Sequence, residues 1–297
     1  MPEEKMPHPQ IPEAGGNISG AKKSMVSARV MVVAIVVILL AVAAYYLIPR
    51  APKLTAQDPV VVGDFINSTS DSIFEGTLRP GLAAQLRQTP FLNIVTEEKI
   101  DAGLRDLGQA VGARLTKDIT RQVCQRLGAF AAITGEVGLS EDGYAMNFEA
   151  VNCKTGALIV REETSSMDKQ HAMDAIAEAA ADFREDIGEP RSSRSEFNRK
   201  AEMVTTKSLA ALQDYGQGLD AEFFSSDPAV VIALFQKAIS LDANFSLAHL
   251  ELGRAYARAG DAAKARAEYD EFFRLWTGAD PASPFLLAAK SESAKLG

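Results

Sequence analysis

The residues able to do chemistry in this chain are few: two cysteines, three histidines, some paired acids and a pair of arginines near the C-terminal end. Cys124 and Cys153 form an even pair, which in an oxidising compartment invites a disulfide. Closing about 30 residues would contribute roughly 3–4 kcal/mol in the chain-entropy picture. The alternative is two buried free thiols. Neither cysteine has a histidine at ligand spacing, so no metal site is expected. His8 lies in a proline-rich stretch, His171 at a helix start, and His249 where packing explains it. No serine sits in a nucleophile-elbow motif. Glu141-Asp142 and Glu162-Glu163 read as solvated loop charges. The chain therefore reads as a non-enzyme that calls for no cofactor, and its chemistry as recognition.

The elements that would position these groups divide the chain unevenly. At 297 residues, two folded units plus tails are expected. Residues 1–27 hold four of the 13 prolines and no sizeable apolar run, the composition of a disordered tail. Val30–Ile48 is a run of 19 residues without a charge. As a helix it would extend about 28 Å, near the hydrocarbon thickness of a bilayer. Tyr45 and Tyr46 would sit at the headgroup level, and Pro49 would end the helix. A single transmembrane helix is expected over 28–49. Ala41-Val42-Ala43 keeps a second option open, a cleaved signal peptide. Lys22, Lys23 and Arg29 before the run, against Arg50 and Lys53 after it, bias the N-terminus toward the cytoplasm. Placement in the inner membrane follows, single-pass, with the bulk in the periplasm or outside.

Net charge is −8, and residues 1–53 carry six bases against three acids, so the remainder carries −11. An acidic body disfavours nucleic acid, whose phosphates it would repel, and tight adhesion to anionic lipid.

From 57 to 190, strand-like and helix-like segments alternate. Pro59–Phe65 is a compact apolar run suited to a buried strand, and Asn67–Asp71 a turn cluster. Phe74, Leu78, Leu82 and Leu86 recur every four residues, with Pro80 marking a helix start or kink. A second strand follows at Phe91–Val95, then helices near 97–108 and 116–127. Three further apolar or alternating runs, Ala129–Val137, Tyr144–Val151 and Ala157–Glu162, are joined by tight polar links that suit hairpins. Met167–Ile187 reads as a long helix. This predicts a short parallel part and a meander with helices packed on it, an α/β sandwich. Residues 191–204 read as a linker.

Residues 246–279 fit the 34-residue tetratricopeptide pattern. With Ser246 as position one, Leu252, Gly253 and Tyr256 fall at seven, eight and eleven, and Ala265 and Tyr269 at twenty and twenty-four. Small Gly253 and Ala265 let two helices approach, while the larger side chains fill the seam. His249, Phe272 and Thr277 depart from the usual residues. Val230–Asp242 and Ala210–Leu219 suit an earlier repeat, giving tetratricopeptide-like repeats over 205–279 and a capping helix over 280–297. The inner face of such repeats is built here from Leu247, Leu250, Arg254, Ala257 and Arg258. Two arginines beside leucines could hold an acidic or C-terminal peptide; pairing with Glu251 and Asp261 is the alternative.

From Val60 onward the chain resembles the extracytoplasmic region of bacterial transmembrane serine/threonine kinases, in which a TolB-N-terminal-like α/β domain precedes tetratricopeptide repeats. The stretches that carry the likeness are Asn67–Asp71, Gln88–Leu92, Cys124–Arg126, Ala150–Gly156 and Trp276–Pro281. No glycine-rich phosphate loop, His-Arg-Asp or Asp-Phe-Gly accompanies them. The resemblance implies a sensor or protein-interaction role without a catalytic half. The expected fold class is thus α+β: a single transmembrane helix, an α/β sandwich, then helical hairpins. The expected function is a membrane-anchored extracytoplasmic adaptor with a protein or peptide partner. Small-molecule binding near Asp64–Asp71 is the other reading.

Overall fold

The computed structural model describes residues 33–39, 54–224 and 227–296, with side chains throughout except at 223 and 224. Residues 33–39 belong to a separate N-terminal unit, Met1–Arg50, and are helical with their valines, isoleucines and Leu39 exposed. No helix among the described residues is long and apolar enough to cross a membrane. This overturns the expected transmembrane helix at 28–49, and with it the single-pass inner-membrane placement. The flanking residues of that span and the 1–27 tail lie outside the described residues.

The second unit, Ala51–Gly297, begins with a five-stranded sheet in the order β2-β1-β3-β4-β5. β1 (Pro59–Asn67) runs parallel to both β2 (Asn93–Ile94) and β3 (Ala131–Ser140). β3, β4 (Gly143–Asn152) and β5 (Leu158–Ser166) form an antiparallel meander. β1 and the start of β3 are apolar on both sides because helices cover both faces. Val60 and Val62 enter one core and Val61 the other, as alternation along a strand requires. On the first face lie α1 (Leu78–Arg87) and α4 (Ala172–Asp186), which bury Leu78, Leu82 and Leu86 together with Ile176 and Phe183. On the second lie α2 (Glu97–Asp106) and α3 (Lys117–Arg126), which bury Ile100, Leu104 and Val123.

Gly63 permits α3 to close on the sheet. A Cβ there would stand 2.2 Å from Thr120 Oγ1. The register shift between Val62 and Phe65 then turns Asp64 out of the regular ladder, where its Oδ2 accepts from Leu115 N at 2.7 Å.

The stretch read as a linker is packed structure: α5 (Arg191–Phe197) and α6 (Ala201–Val204) bury Phe197, Ala201 and Val204. A fully buried ion pair precedes it, Arg184 Nε on Glu189 Oε2 at 2.5 Å. The hydroxyls of Thr89 and Ser193 each donate to Glu189 Oε1 at 2.5 Å, so α4, α5 and the turn after α1 are tied through one carboxylate. Arg199 then lies over the Trp276 ring, 5.4 Å from its centroid.

The remaining helices make two hairpins and a cap. α7 (Leu209–Phe224) packs on α8 (Pro228–Leu241), and α9 (Ser246–Arg258) on α10 (Ala262–Leu275). Close approach depends on Gly218, where a Cβ would meet the Phe235 ring at 2.5 Å, and on Gly253 beside Tyr269. Asp227 and Asp261 cap α8 and α10 through side-chain oxygens that accept from the first-turn amides. α11 (Pro284–Ser293) closes the end against Trp276, whose ring meets Phe285 at 5.5 Å. One continuous hydrophobic core runs from the sheet's first face through both hairpins.

Candidate functional site

A cleft follows the seam between the β2 edge of the sheet, flanked by α1 and α2, and the helices α7, α9 and α11. Its deep end is a recess of about 260 Å³ beneath Asp64, Arg79, Glu97, Asp101 and Asp220. Toward the outside it widens into spaces of about 370 and 590 Å³, and Glu97 and Leu219 border all three.

Local sequence explains the recess wall. α1 can carry Pro80 in its first turn because no intrahelical amide is needed there. That prolyl ring meets α7 at Gly216, where a Cβ would lie 3.3 Å from Pro80 Cγ. Arg79 turns inward beside it. Its Nε donates to the Val62 carbonyl at 3.0 Å and its Nη2 to Glu97 Oε2 at 2.5 Å, with Asp64 Oδ1 at 3.9 Å. Burial works against the Arg79 charge, but the Glu97 and Asp64 carboxylates outweigh it and raise its pKa. Glu97 and Glu98 open α2, where acids complement the helix dipole.

Asp101 Oδ1 accepts from Gly112 N at 3.2 Å, yet burial pushes its carboxyl upward. Asp220 accepts no hydrogen bond among the described residues. Solvent in the recess reaches it, but protein surrounds it; that desolvation, helped by the Glu97 and Asp64 charges against Arg79, raises it to about 6. Among the described residues, no set of three or more His, Cys, Asp or Glu is placed to hold a metal ion.

The outer cleft is lined from α9 by Leu247, Glu251, Arg254, Ala257 and Arg258. Four of the five groove positions read from the repeat pattern therefore share one wall, with Leu247 buried at its foot. Leu250 is fully buried in the core and lines nothing. Arg254 Nη1 donates to Glu251 Oε1 at 2.6 Å, and a second contact, to Glu292 on α11, takes its other donors. Arg258 pairs with Glu222. Glu222 is held by protein on most sides and faces Glu251, so its carboxyl is raised to about 7 despite Arg258. On the opposite wall Arg87 Nη2 donates to the Val95 carbonyl at 3.1 Å. Both arginines expected to receive an acidic peptide are thus already neutralised by carboxylates of the chain itself.

Other sequence candidates fall elsewhere. Cys124 on α3 and Cys153 after β4 are bonded to each other, their Cα atoms 6.0 Å apart, beneath α3 and away from the cleft lining. His249 is buried, with Nδ1 2.6 Å from Glu268 Oε2 and Nε2 3.2 Å from the Ala243 carbonyl. His171 is exposed beside Asp168 at 2.8 Å. Neither histidine bonds a serine, threonine or cysteine among the described residues. Within Asn67–Asp71, Asn67 Oδ1 accepts from Thr69 N and Oγ1, and Asp71 caps the following turn, so that turn satisfies itself. Glu162, expected to be a solvated loop charge, lies on β5 with a buried Oε1, and desolvation raises its pKa.

Arg79, Glu97, Asp220 and Glu292 were not legible as site residues. They come from four helices and share no motif. The one local signal is Asp220, an acid within a helix otherwise dominated by apolar and small residues.

No protein-family model matches the chain, and no curated protein matches it. Among solved structures, it is similar to the LpoB C-terminal domain from Salmonella enterica, at 17% identity and a TM-score of 0.35, over 42% of this chain and 90% of that one. It is similar to TolB from Acinetobacter baumannii at 11% identity and a TM-score of 0.31, over 47% of this chain and 30% of that one. Lipoprotein GNA1162 from Neisseria meningitidis aligns at 15% identity and a TM-score of 0.29, over 36% of this chain and 77% of that one. None of these three is a kinase's extracytoplasmic region or a tetratricopeptide protein.

Proposed function

We propose that this protein is an extracytoplasmic protein-interaction module, whose tetratricopeptide-type hairpins hold a partner segment in the seam cleft. The observation that carries this reading is the placement of Leu247, Arg254, Ala257 and Arg258 along one wall of an open cleft, with α1 and α2 as its other wall. Repeat hairpins bind through such concave faces, and here the α/β layer supplies the half of the groove that further repeats would otherwise provide. The Cys124–Cys153 bond supports an oxidising compartment. The recess alone, at about 260 Å³, is smaller than the roughly 300–1,000 Å³ of sites that take free small molecules. Opening into a longer cleft, it suits one side chain of a longer ligand better than a separate metabolite.

Photo-crosslinking tests this. Benzoylphenylalanine at Ala257, inside the cleft, should give a specific adduct in producing cells, while the same group at exposed Val230 on α8 should not. Equal labelling from both positions, or none from Ala257, would remove the cleft as the binding surface.

A further inference from the structure

The charges of the cleft specify what it can accept. Nine acidic and six basic side chains border its three connected spaces. The basic ones are largely committed: Arg79 to Glu97 and the Val62 carbonyl, Arg87 to the Val95 carbonyl, Arg254 to Glu251 and Glu292, Arg258 to Glu222. Arg114 donates to the Phe65 carbonyl, so an incoming carboxylate would find only the exposed Lys295 uncommitted among the described residues and would meet surplus negative charge. An incoming cation would find Asp220 without a hydrogen bond. Between the charges lie the half-buried Pro80, Leu219 and Phe285, which offer apolar footing. A cleft with this mixture is complementary to an extended chain whose cationic and apolar side chains alternate.

We infer that the occupant of the cleft is an extended segment of a partner protein carrying lysine or arginine among apolar residues, with one cationic side chain entering the recess beside Asp220. The inference rests on the protein-binding reading above and adds the chemistry of the partner. The elevated Asp220 and Glu222 carboxyls, at about 6 and about 7, agree with it. Desolvation raises both, with neighbouring carboxylates adding to it, and a cation bound in this confined space would offset that. Charge pairs in such a space are screened less than at an open surface.

The test uses the full chain and three twelve-residue peptides on one apolar scaffold, with lysine, glutamine or glutamate at alternate positions. Affinity is read by fluorescence anisotropy at low and at 0.3 M salt. The lysine peptide should bind at least about tenfold tighter than the glutamine peptide, and the glutamate peptide weakest. Asp220→Asn with Glu222→Gln should remove most of that advantage, whereas added salt should only reduce it. Asp220→Asn alone breaks no hydrogen bond among the described residues and should show the same direction in a chain that still unfolds in one cooperative transition. Equal affinity of the lysine and glutamine peptides, both crosslinking to Ala257-labelled protein, would overturn the charge inference and leave the protein-binding reading standing. Failure of all three to bind would overturn both. A lysine preference that survives both substitutions would place the cation site elsewhere and overturn the inference. So would a concentration-dependent dimer closed over the cleft, which would name a second copy as occupant.

Discussion

Arg254 on α9 holds Glu292 on α11 by two parallel hydrogen bonds, Nε to Oε2 at 2.8 Å and Nη2 to Oε1 at 2.9 Å. This fork fixes the capping helix on the second hairpin and at the same time spends the arginine that lines the cleft. Burial opposes the guanidinium's charge, but Glu251 and Glu292 overcome it and raise its pKa. Tyr269 on α10 adds its hydroxyl to Glu292 Oε2 at 3.0 Å, so three helices meet on one carboxylate.

Glu292→Ala should therefore loosen α11 and free Arg254 together. The expected cost is about 1–2 kcal/mol in urea unfolding, since the pair is only partly buried. A double-mutant cycle with Arg254→Ala should show coupling of similar size. A cycle that closes to zero would mean that the fork contributes geometry and no stability.

The cleft acids make stability depend on pH with a defined sign. Glu222 is raised from the ordinary glutamate range to about 7, so between the unfolded value and 7 the folded chain binds more protons than the unfolded one. Unfolding free energy should fall as pH rises from 5 to 7.5. Glu222→Gln should flatten that fall by on the order of 1–2 kcal/mol, read by urea titrations at both pH values. A slope unchanged by the substitution would contradict it.

His249 titrates upward although burial opposes its charge, because hydrogen bonds to Glu268 and the Ala243 carbonyl favour the imidazolium. Its contribution to stability is present at low pH and lost as pH rises through its folded value. NMR titration should find its pKa above that of an unperturbed histidine, and Glu268→Gln should lower it.

The Cys124–Cys153 bond closes a segment with a sequence separation of 29. Replacing both with serine should cost about 3–4 kcal/mol in the chain-entropy picture, and free-thiol labelling of the denatured, unreduced chain should find none. Quantitative labelling of two thiols would contradict the bond.

Gly63→Ala should destabilise by about 1–3 kcal/mol, because its methyl group would enter the space of Thr120 Oγ1 and press on the Leu115 carbonyl. Melting curves of the variant beside wild type would measure this.

Much of the architecture could be read from the residues because it is local. Alternation placed Val60, Val61 and Val62 on two cores, the tight links before Gly143 and at Gly156 made the meander, and the repeat spacing put Gly253 against Tyr269. The transmembrane expectation rested on the apolarity of one run, whose described part is a helix of seven residues. Residues 191–204 looked like a linker because they are polar and basic, yet Glu189 and Arg184 satisfy each other in the interior before it and Arg199 packs its charge on Trp276. Pairing of that kind leaves no periodic trace. The same limit applied to the site. One wall, on α9, could be read from its spacing, whereas Arg79, Glu97, Asp220 and Glu292 meet only through tertiary packing.

The most direct test of the seam cleft as the binding surface is hydrogen exchange of the full chain with and without the lysine-bearing peptide. Added protection should be confined to the start of α2, the second half of α7, and the facing parts of α9 and α11. Protection centred on the free edge of β5 or on α8, with those segments unchanged, would contradict it.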